Sequence, residues 1–353
     1  MVTNSLSKIL KIYIVIVNYN NWWDTIECVE SILKNNYSNY NLIIVDNNSI
    51  NNSMDYLKSW VEGRLNVLVG HKSLLKGLSF PPINKPIPYL VYTREEAEKG
   101  GNLEIEKISC NNAIIFIKCN DNLGFAGGNN VAIKYILTKD NSGAVLLLNN
   151  DTAIEKDILY KMASFYNKFG LGLYSGRIFY YDNPEIIWYD GGHFNKWLGR
   201  GTHINMGKKG KSFKNIIRTV NFVSFCVALI PIKILKDIGP LDESYFMYVE
   251  DLDYSYKVLN KGYNLYHIYG LKVYHKAGAS IGRELSPFSS YWLMKNRVRF
   301  ILNKLSGIHR VSSMIFILLS RLIIYPSWII RGKIKIMISQ LKAIRDGFAA
   351  NRH

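Results

Sequence analysis

The chain has 353 residues, is 48% hydrophobic and 20% charged, and carries a formal net charge of +17. That length suits one large domain or a domain with an appendage, and the apolar share is enough to bury a core, which excludes a disordered chain. The cysteines Cys28, Cys110, Cys119 and Cys226 form no CxxC pair and no spacing with histidine, so buried or free thiols are expected rather than a disulfide or zinc framework.

The apolar run 12–17 is too short for a signal peptide and leads into Asn18-Tyr19-Asn20 rather than a small-residue cleavage site, so a cytosolic start is expected. Rich in β-branched residues, it reads as a strand buried on both faces of a parallel sheet. A helix over 25–33 follows, and then a strand over 42–45 that ends in Asp46-Asn47-Asn48-Ser49. Ligands of open α/β sheets bind beyond the carboxyl ends of the strands, which puts Asn18, Asn20, Asp46 and Asn48 on one rim. Asp46 suits two roles equally: accepting a hydrogen bond from a pyrimidine N3–H, or closing an Asx-turn or helix cap.

The pattern breaks over about 66–112, where Pro81, Pro82, Pro86 and Pro88 cluster and a charged run occupies 94–99. An insertion is expected there, with one edge strand at 89–92. The α/β pattern resumes with a strand over 113–117 and a glycine-rich turn ahead of a helix over 131–137. Such a turn can bring backbone N–H groups to an anion, but its spacing is not G-x-G-x-x-G and it does not follow the first strand. A dinucleotide site, and with it a nicotinamide oxidoreductase, is therefore not expected. The next strand, 144–148, ends in Asn149-Asn150-Asp151-Thr152 before a helix over 156–169. Asp151 there is either a cap or a foothold for Mg²⁺ or Mn²⁺ when a nucleotide diphosphate supplies further oxygens.

Trp188, Tyr189, Gly191-Gly192, His193 and Trp197 can stack on sugar faces or simply pack, and 199–214 reads as a basic, mobile loop. After an apolar run at 220–230, the stretch 245–257 carries Glu250, Asp251 and Asp253 at the mouth of a helix over 251–261. An acidic first turn answers the helix dipole in any protein, so these acids alone do not make a site. Strands over 264–269 and 271–274 lead to His275, a metal or phosphate ligand or a structural histidine. From Lys295 onward 12 Lys and Arg face one acid, Asp346, and the apolar stretch 314–330 is interrupted by Ser320, Arg321, Pro326 and Ser327. That mixture argues for a helix lying on anionic lipid rather than spanning it, and against nucleic-acid binding, because the cations alternate with aliphatics.

Taken together, VNYN at 17–20, VDNNS at 45–49, NLGFAGGNN at 122–130, LLNND at 147–151, GPLDESYFMYVEDLDYS at 239–255, HKAGAS at 275–280 and YWLMKNR at 291–297 resemble the inverting glycosyltransferases of family 2, most closely their rhamnosyltransferase-like members. The resemblance implies an α/β GT-A fold, a Rossmann-like, mostly parallel mixed sheet flanked by helices, over 1–305. A helical, membrane-associating tail would occupy 306–353. It implies that Asn18, Asn20, Asp46, Asn48, Asn122, Asn129 and Asn150 shape the nucleotide and donor pocket, and that Asp151 and His275 serve a Mg²⁺ or Mn²⁺ ion. Asp251 would be the catalytic base, with Glu250, Asp253 and Trp188 toward the acceptor. Asn149 stands where the family's DxD motif has its first acid. The implied partners are a UDP- or dTDP-linked sugar, a glycan or lipid-linked saccharide and the inner face of the cell membrane, with a homodimer as a further use of the tail. The competing reading is a catalytically inactive sugar-nucleotide-binding module.

Overall fold

The computed structural model describes residues 9–108, 113–211, 216–277 and 286–349. The first half runs β1 (Ile12–Asn18), α1 (Trp22–Leu33), β2 (Tyr40–Asp46), α2 (Ser53–Val61), α3 (Lys76–Ser79), β3 (Tyr89–Thr93), α4 (Arg94–Glu98), α5 (Leu103–Ile108), β4 (Ile114–Lys118), α6 (Gly124–Lys139), β5 (Ala144–Leu148), β6 (Thr152–Ile154) and α7 (Ile158–Phe169). The second half runs β7 (Gly172–Tyr180), β8 (Ile187–Tyr189), β9 (Gly192–Asn195), β10 (Arg200–His203), β11 (Ile217–Val220), β12 (Val227–Pro231), α8 (Ile232–Ile238), α9 (Glu250–Asn260), β13 (Asn264–His275), α10 (Pro287–Lys304), α11 (Gly307–Ile330) and α12 (Ile334–Ala349).

The main sheet is ordered β11-β13-β7-β12-β5-β1-β2-β4-β3. Strands β5, β1, β2, β4 and β3 are parallel neighbours, as are β13 and β7, while β12 lies antiparallel between β5 and β7. Period-two alternation explains why the central strands are apolar throughout: Ile12, Ile14 and Ile16 enter the core under α1, α2 and α7, and Tyr13 and Val15 enter the core under α6, α8 and α9. Each such side chain, fully buried, contributes about 1.5–3 kcal/mol of transfer free energy. The expected strand at 89–92 is the sheet's edge, β3.

Four local expectations differ from the structure. Helix α6 opens at Gly124 rather than at 131, so the glycines lie within it and serve packing: a Cβ on Gly128 would stand 2.8 Å from Val17 Cγ1. The run 220–230 is divided between β11 and β12, because the Val223 N–H turns aside to donate to Ser255 Oγ at 3.1 Å. Strands 264–269 and 271–274 form one strand, β13, with a register shift between Ile268 and Lys272. The expected loop at 199–214 begins as a strand, β10, in a hairpin with β9, and its residues 212–214 lie outside the described residues.

The tail is joined to the rest of the fold through α10. Val298, Phe300 and Ile301 of α10 share a core with Ile317 of α11 and Ala343 of α12. Tyr291 OH donates to Asp346 at 2.7 Å and Gln340 Nε2 to Ser290 Oγ at 2.9 Å. Helix α11 is long and apolar enough to cross a membrane by length and composition, with 11% of its most apolar window buried. Ile308, Val311, Ile315, Leu318, Leu322 and Ile323 leave an apolar stripe exposed along it.

Candidate functional site

The strand ends of β1, β2 and β5 carry a closed web of side chains. Asn18, fully buried, donates through Nδ2 to Asp46 Oδ1 at 2.8 Å and to Ser49 Oγ at 3.1 Å, and its Oδ1 accepts from Thr25 Oγ1 at 2.9 Å. Ser49 Oγ donates to Asp46 Oδ1 at 2.5 Å and accepts from the Asn20 N–H at 2.8 Å. Asn150 Nδ2 reaches Thr25 Oγ1 at 3.0 Å. Asp46 thus closes an Asx-type turn on Ser49, and Asn20 and Asn48 take left-handed φ values of 55° and 63°, which asparagine tolerates.

Beside this web, Asn47 joins β2 to the glycine turn. Its Nδ2 donates to Asn122 Oδ1 at 3.0 Å and to the Gly124 carbonyl at 2.9 Å, while its Oδ1 accepts from the Leu123 N–H at 3.0 Å. The approach that Gly124 permits is to protein: its φ is +69°, and an added Cβ would lie 2.2 Å from the Phe246 carbonyl oxygen. That oxygen accepts from the Phe125 N–H at 2.6 Å. Asn129 is buried in α6 and bonds its own helix at Phe125 O, 2.8 Å away, rather than the rim.

Three non-glycine residues just ahead of the acids, Phe246, Tyr248 and Val249, have φ of 57°, 65° and 75°. A β-branched valine there is a genuine outlier, with a cost of about 1–3 kcal/mol that surrounding contacts must offset. Asn296 of α10 supplies them, its Nδ2 donating to the carbonyls of Tyr245, Met247 and Tyr248 at 2.5, 2.8 and 3.0 Å. The strained turn delivers Glu250 and Asp251 to the rim. Asp251 Oδ1 accepts from the Leu252 N–H at 2.8 Å. Burial pushes the Asp251 carboxyl up to about 7, with the N–H groups of Leu252 and Phe225 restraining the rise. Burial and then the Asp251 charge push Glu250 well above the carboxylate range, and its Oε2 is buried without a hydrogen-bond partner among the described residues. Asp253 is turned elsewhere: it pairs with Lys257 at 2.7 Å and Lys304 at 3.3 Å and accepts from Tyr245 OH at 3.2 Å. The structure does not bring it to the other acids.

At the end of β5, Asp151 Oδ1 lies 3.0 Å from His275 Nε2. Burial works to raise the Asp151 carboxyl, but His275 outweighs it and the carboxyl lies below its ordinary value. Burial works against the His275 cation; the Cys226 sulfur and the Asp151 carboxylate outweigh that, and the imidazole is held well above its ordinary value. Asp151 is the charge in this pair, since burial keeps the Cys226 thiol protonated. The Trp188 ring meets His275 edge-on at 4.7 Å between centroids, which brings the predicted acceptor residue to the predicted metal residue. Among the described residues no group of three His, Cys, Asp or Glu side chains forms a metal cage. His275 Nε2 carries the proton that Asp151 accepts, so Asp151 and His275 offer two donors to a divalent ion only once the ion displaces that proton, with a diphosphate supplying its other ligands.

These elements and their order match known proteins. The profile of glycosyl transferase family group 2 covers residues 144–341, more than half of the chain. The chain belongs to this family. A profile of glycosyl transferase family 2 also matches residues 13–79. A Haloferax volcanii protein, the low-salt glycan biosynthesis hexosyltransferase Agl10, is 23% identical over 200 residues, which is 57% of this chain and 64% of that protein's length. Among solved structures, GalNAc-T7 with UDP, GalNAc and Mn²⁺ aligns over 83% of this chain and 48% of its own, with a TM-score of 0.53 and 14% identity. That likeness shows the GT-A type of fold, as the sequence motifs imply. S. aureus TarS 1–349 in complex with UDP-GlcNAc aligns over 96% of this chain and 80% of its own at a TM-score of 0.47 and 15% identity, too distant to carry an argument.

Several residues that build this site carry no local mark of it in the sequence. Asn47 and Ser49 lie in the VDNNS motif and Asn296 in YWLMKNR, with nothing in those motifs to mark their roles. Lys276 follows His275, donates its N–H to the Asp151 carbonyl at 2.9 Å and pairs through Nζ with Asp24 at 2.5 Å and Glu27 at 2.6 Å. Cys226 carries no sequence signal at all. Its carbonyl accepts from the Asn149 N–H at 3.0 Å, so β12 brings the Asp251 neighbourhood to Asp151.

Proposed function

We propose that this chain is an inverting glycosyltransferase that moves a hexose-type sugar from a nucleotide diphosphate to a hydroxyl of a glycan or lipid-linked saccharide, in cell-surface polysaccharide synthesis. The observation that carries the reading is the pair of rim carboxyls with opposite electrostatics: Asp151 kept ionised beside His275, and Asp251 raised to about 7. A group poised near neutral pH is suited to proton transfer, and a firmly ionised one to holding a cation.

The donor's base and ribose would meet the Asn18, Asn20, Asp46 and Asn48 rim, with Asn122 and Asn150 toward the donor sugar. Asn18 and Ser49 side chains both bond Asp46 Oδ1, so a base contact would fall to Oδ2, which accepts the Ser49 N–H at 3.4 Å. A Mg²⁺ or Mn²⁺ ion on Asp151 and His275 would stabilise charge on the departing diphosphate. The acceptor hydroxyl attacks the anomeric carbon opposite the diphosphate and gives its proton to the Asp251 carboxylate. The new C–O bond forms as the old one breaks, and its electron pair leaves on the diphosphate, inverting the configuration. Glu250, held protonated, has an O–H to donate to an acceptor oxygen, and Trp188 presents a ring face for a sugar beside His275. Rhamnose is the sugar that the motif resemblance suggests.

The exposed stripe of α11, with Arg331, Lys333 and Lys335 after it, supports a peripheral position on anionic lipid. Since α12 shares a core with α10, the test is surface substitution rather than truncation: Leu322→Ser with Ile323→Ser should reduce flotation with anionic liposomes, and unchanged flotation would sink the membrane assignment. The function itself is tested with a panel of nucleotide sugars linked to uridine, thymidine or guanosine, with Mg²⁺ or Mn²⁺, scoring nucleotide diphosphate release. Release from one donor that disappears in Asp251→Asn supports transfer. Nucleotide binding without release from any donor, with or without saccharide acceptors, favours the inactive module, a reading motivated by Asn149 in the DxD position.

A further inference from the structure

A polar cavity lies apart from the rim, where β7, β8 and β11 meet the register shift of β13. It encloses about 320 Å³ and is lined by Arg177, Lys208, Lys209, Lys211 and Arg218, with Asp190 as its one acid. Its apolar edges are Ile187, Ile216 and Tyr269.

The acid does not neutralise the lysines. Asp190 is 2% exposed, and its oxygens accept from Arg177 Nε at 2.6 Å and Asn205 Nδ2 at 2.9 Å, with His267 Nε2 at 3.2 Å. Its charge is spent on buried Arg177, and Lys209 pairs outward with Glu185 at 3.0 Å. Among the described residues, Lys208, Lys211 and Arg218 have no carboxylate partner. Three cations facing one concave surface repel one another, and a bound anion relieves that repulsion.

The backbone of the wall carrying the lysines is fixed by hydrogen bonds, while the lysine and Arg218 side chains are exposed to solvent. The Ile187 N–H donates to the Lys208 carbonyl at 2.9 Å, the Gly207 N–H to the Ile187 carbonyl at 2.8 Å, and the Gly210 N–H to the Glu185 carbonyl at 2.8 Å. Opposite, the Tyr269 N–H donates to the Ile216 carbonyl at 2.9 Å, and the guanidinium groups of Arg177 and Arg218 lie 4.9 and 5.4 Å from the Tyr269 ring centroid. The volume falls at the lower end of the range for small-ligand sites, about 300–1,000 Å³, room for a phosphate or diphosphate with a small substituent.

We propose that this cavity binds the phosphate or diphosphate group of a ligand distinct from the nucleotide donor. Guanidinium and ammonium groups on a rigid concave wall recognise phosphate oxygens through charge-assisted hydrogen bonds. The aromatic and aliphatic edge accommodates the first atoms of an organic substituent.

The probe is inorganic pyrophosphate, titrated calorimetrically into the full chain at 0.15 M salt without divalent cation, which disfavours the Asp151 end. The cavity variant Lys211→Ser/Arg218→Ser should bind at least tenfold more weakly, Lys211→Arg/Arg218→Lys should retain binding, and Lys233→Ser/Lys236→Ser on α8 should match the wild type. Equal affinity in the cavity variant overturns the proposal. So does an equal loss in the α8 variant, which would mean non-specific attraction, or abolition of binding by His275→Ala, which would assign the pyrophosphate to the rim. A second arm replaces pyrophosphate by farnesyl diphosphate. Tighter binding lost in the cavity variant identifies a lipid-borne diphosphate, and equal binding of the two probes, lost in the same variant, identifies a soluble one. Circular dichroism of each variant separates lost binding from lost fold.

Discussion

The two halves of the rim are built on opposite principles. Around Asn18, Asp46 and Ser49 each side chain finds a partner, and the polar groups form a closed network on strand ends. Around Glu250 and Asp251 the backbone is left-handed at three non-glycine residues, one carboxyl oxygen is unpartnered and both acids are pushed upward. The first half holds a shape; the second keeps chemical potential in reserve. Departures from local rules concentrate at the acids that the proposed mechanism uses, and neighbouring structure offsets them.

The contrast is broken most directly at Asp251. Asp251→Asn should lower transfer by about 10³-fold or more while leaving nucleotide affinity unchanged. It should also stabilise the fold. A carboxyl whose folded pKa lies above its unfolded value gives full stability below the unfolded value and loses it as pH rises through about 7. At pH 8 the variant is therefore expected to melt about 2–4 °C above the wild type, a gap absent at pH 4. Retained turnover, or a lower melting point at pH 8, would show the acid to be an ordinary cap.

Releasing the strained turn is expected to have the next largest effect. Asn296→Ala removes the donor shared by three carbonyls and should lower kcat about 10²-fold with donor affinity intact, since misplacement of about 1 Å has that consequence. Normal kcat would mean that the turn holds itself. The pH profile of kcat/KM in the wild type should rise tenfold per unit below about 7 and level off above it, as expected of a base that must be ionised. A flat profile from pH 5 to 8 would remove Asp251 from proton transfer.

On the ordered side, Asp151→Ala should weaken nucleotide binding in Mn²⁺ about tenfold and leave metal-free binding nearly unchanged. The smallest effect is at Ser49. Ser49→Ala deletes a bond to Asp46 and an acceptor for the Asn20 N–H, and should cost about 1–3 kcal/mol in denaturant unfolding with the catalytic pH profile unmoved.

The same division governs what could be read from the residues alone. Strands β1, β2, β4 and β5 were legible because burial on both faces demands unbroken apolar runs, and their polar ends marked the rim. Asp46 suits a ligand contact and a turn equally from its sequence, and the structure shows its turn bonds to Ser49. The elements that were misread depend on partners distant in sequence. Gly124 looked like space for an anion, yet Phe246 fills it from 122 positions away. Asp253 shares a helical turn with Asp251, but Lys304 on another helix draws it inward. Neither the left-handed turn at 246–249 nor its dependence on Asn296 has a local signature, because aromatic residues and valine disfavour that conformation.

Helix α10 grips the left-handed turn ahead of Asp251 through Asn296 and is fastened through Tyr291 and Ser290 to α12, whose neighbour α11 carries the exposed apolar stripe. Eighteen residues of helix make a strut about 27 Å long. A tilt of the tail is therefore a torque on the turn that carries Asp251, and on the proposed reading, with the tail on lipid and Asp251 as base, the membrane becomes a mechanical input to the angle at which the acid meets its acceptor.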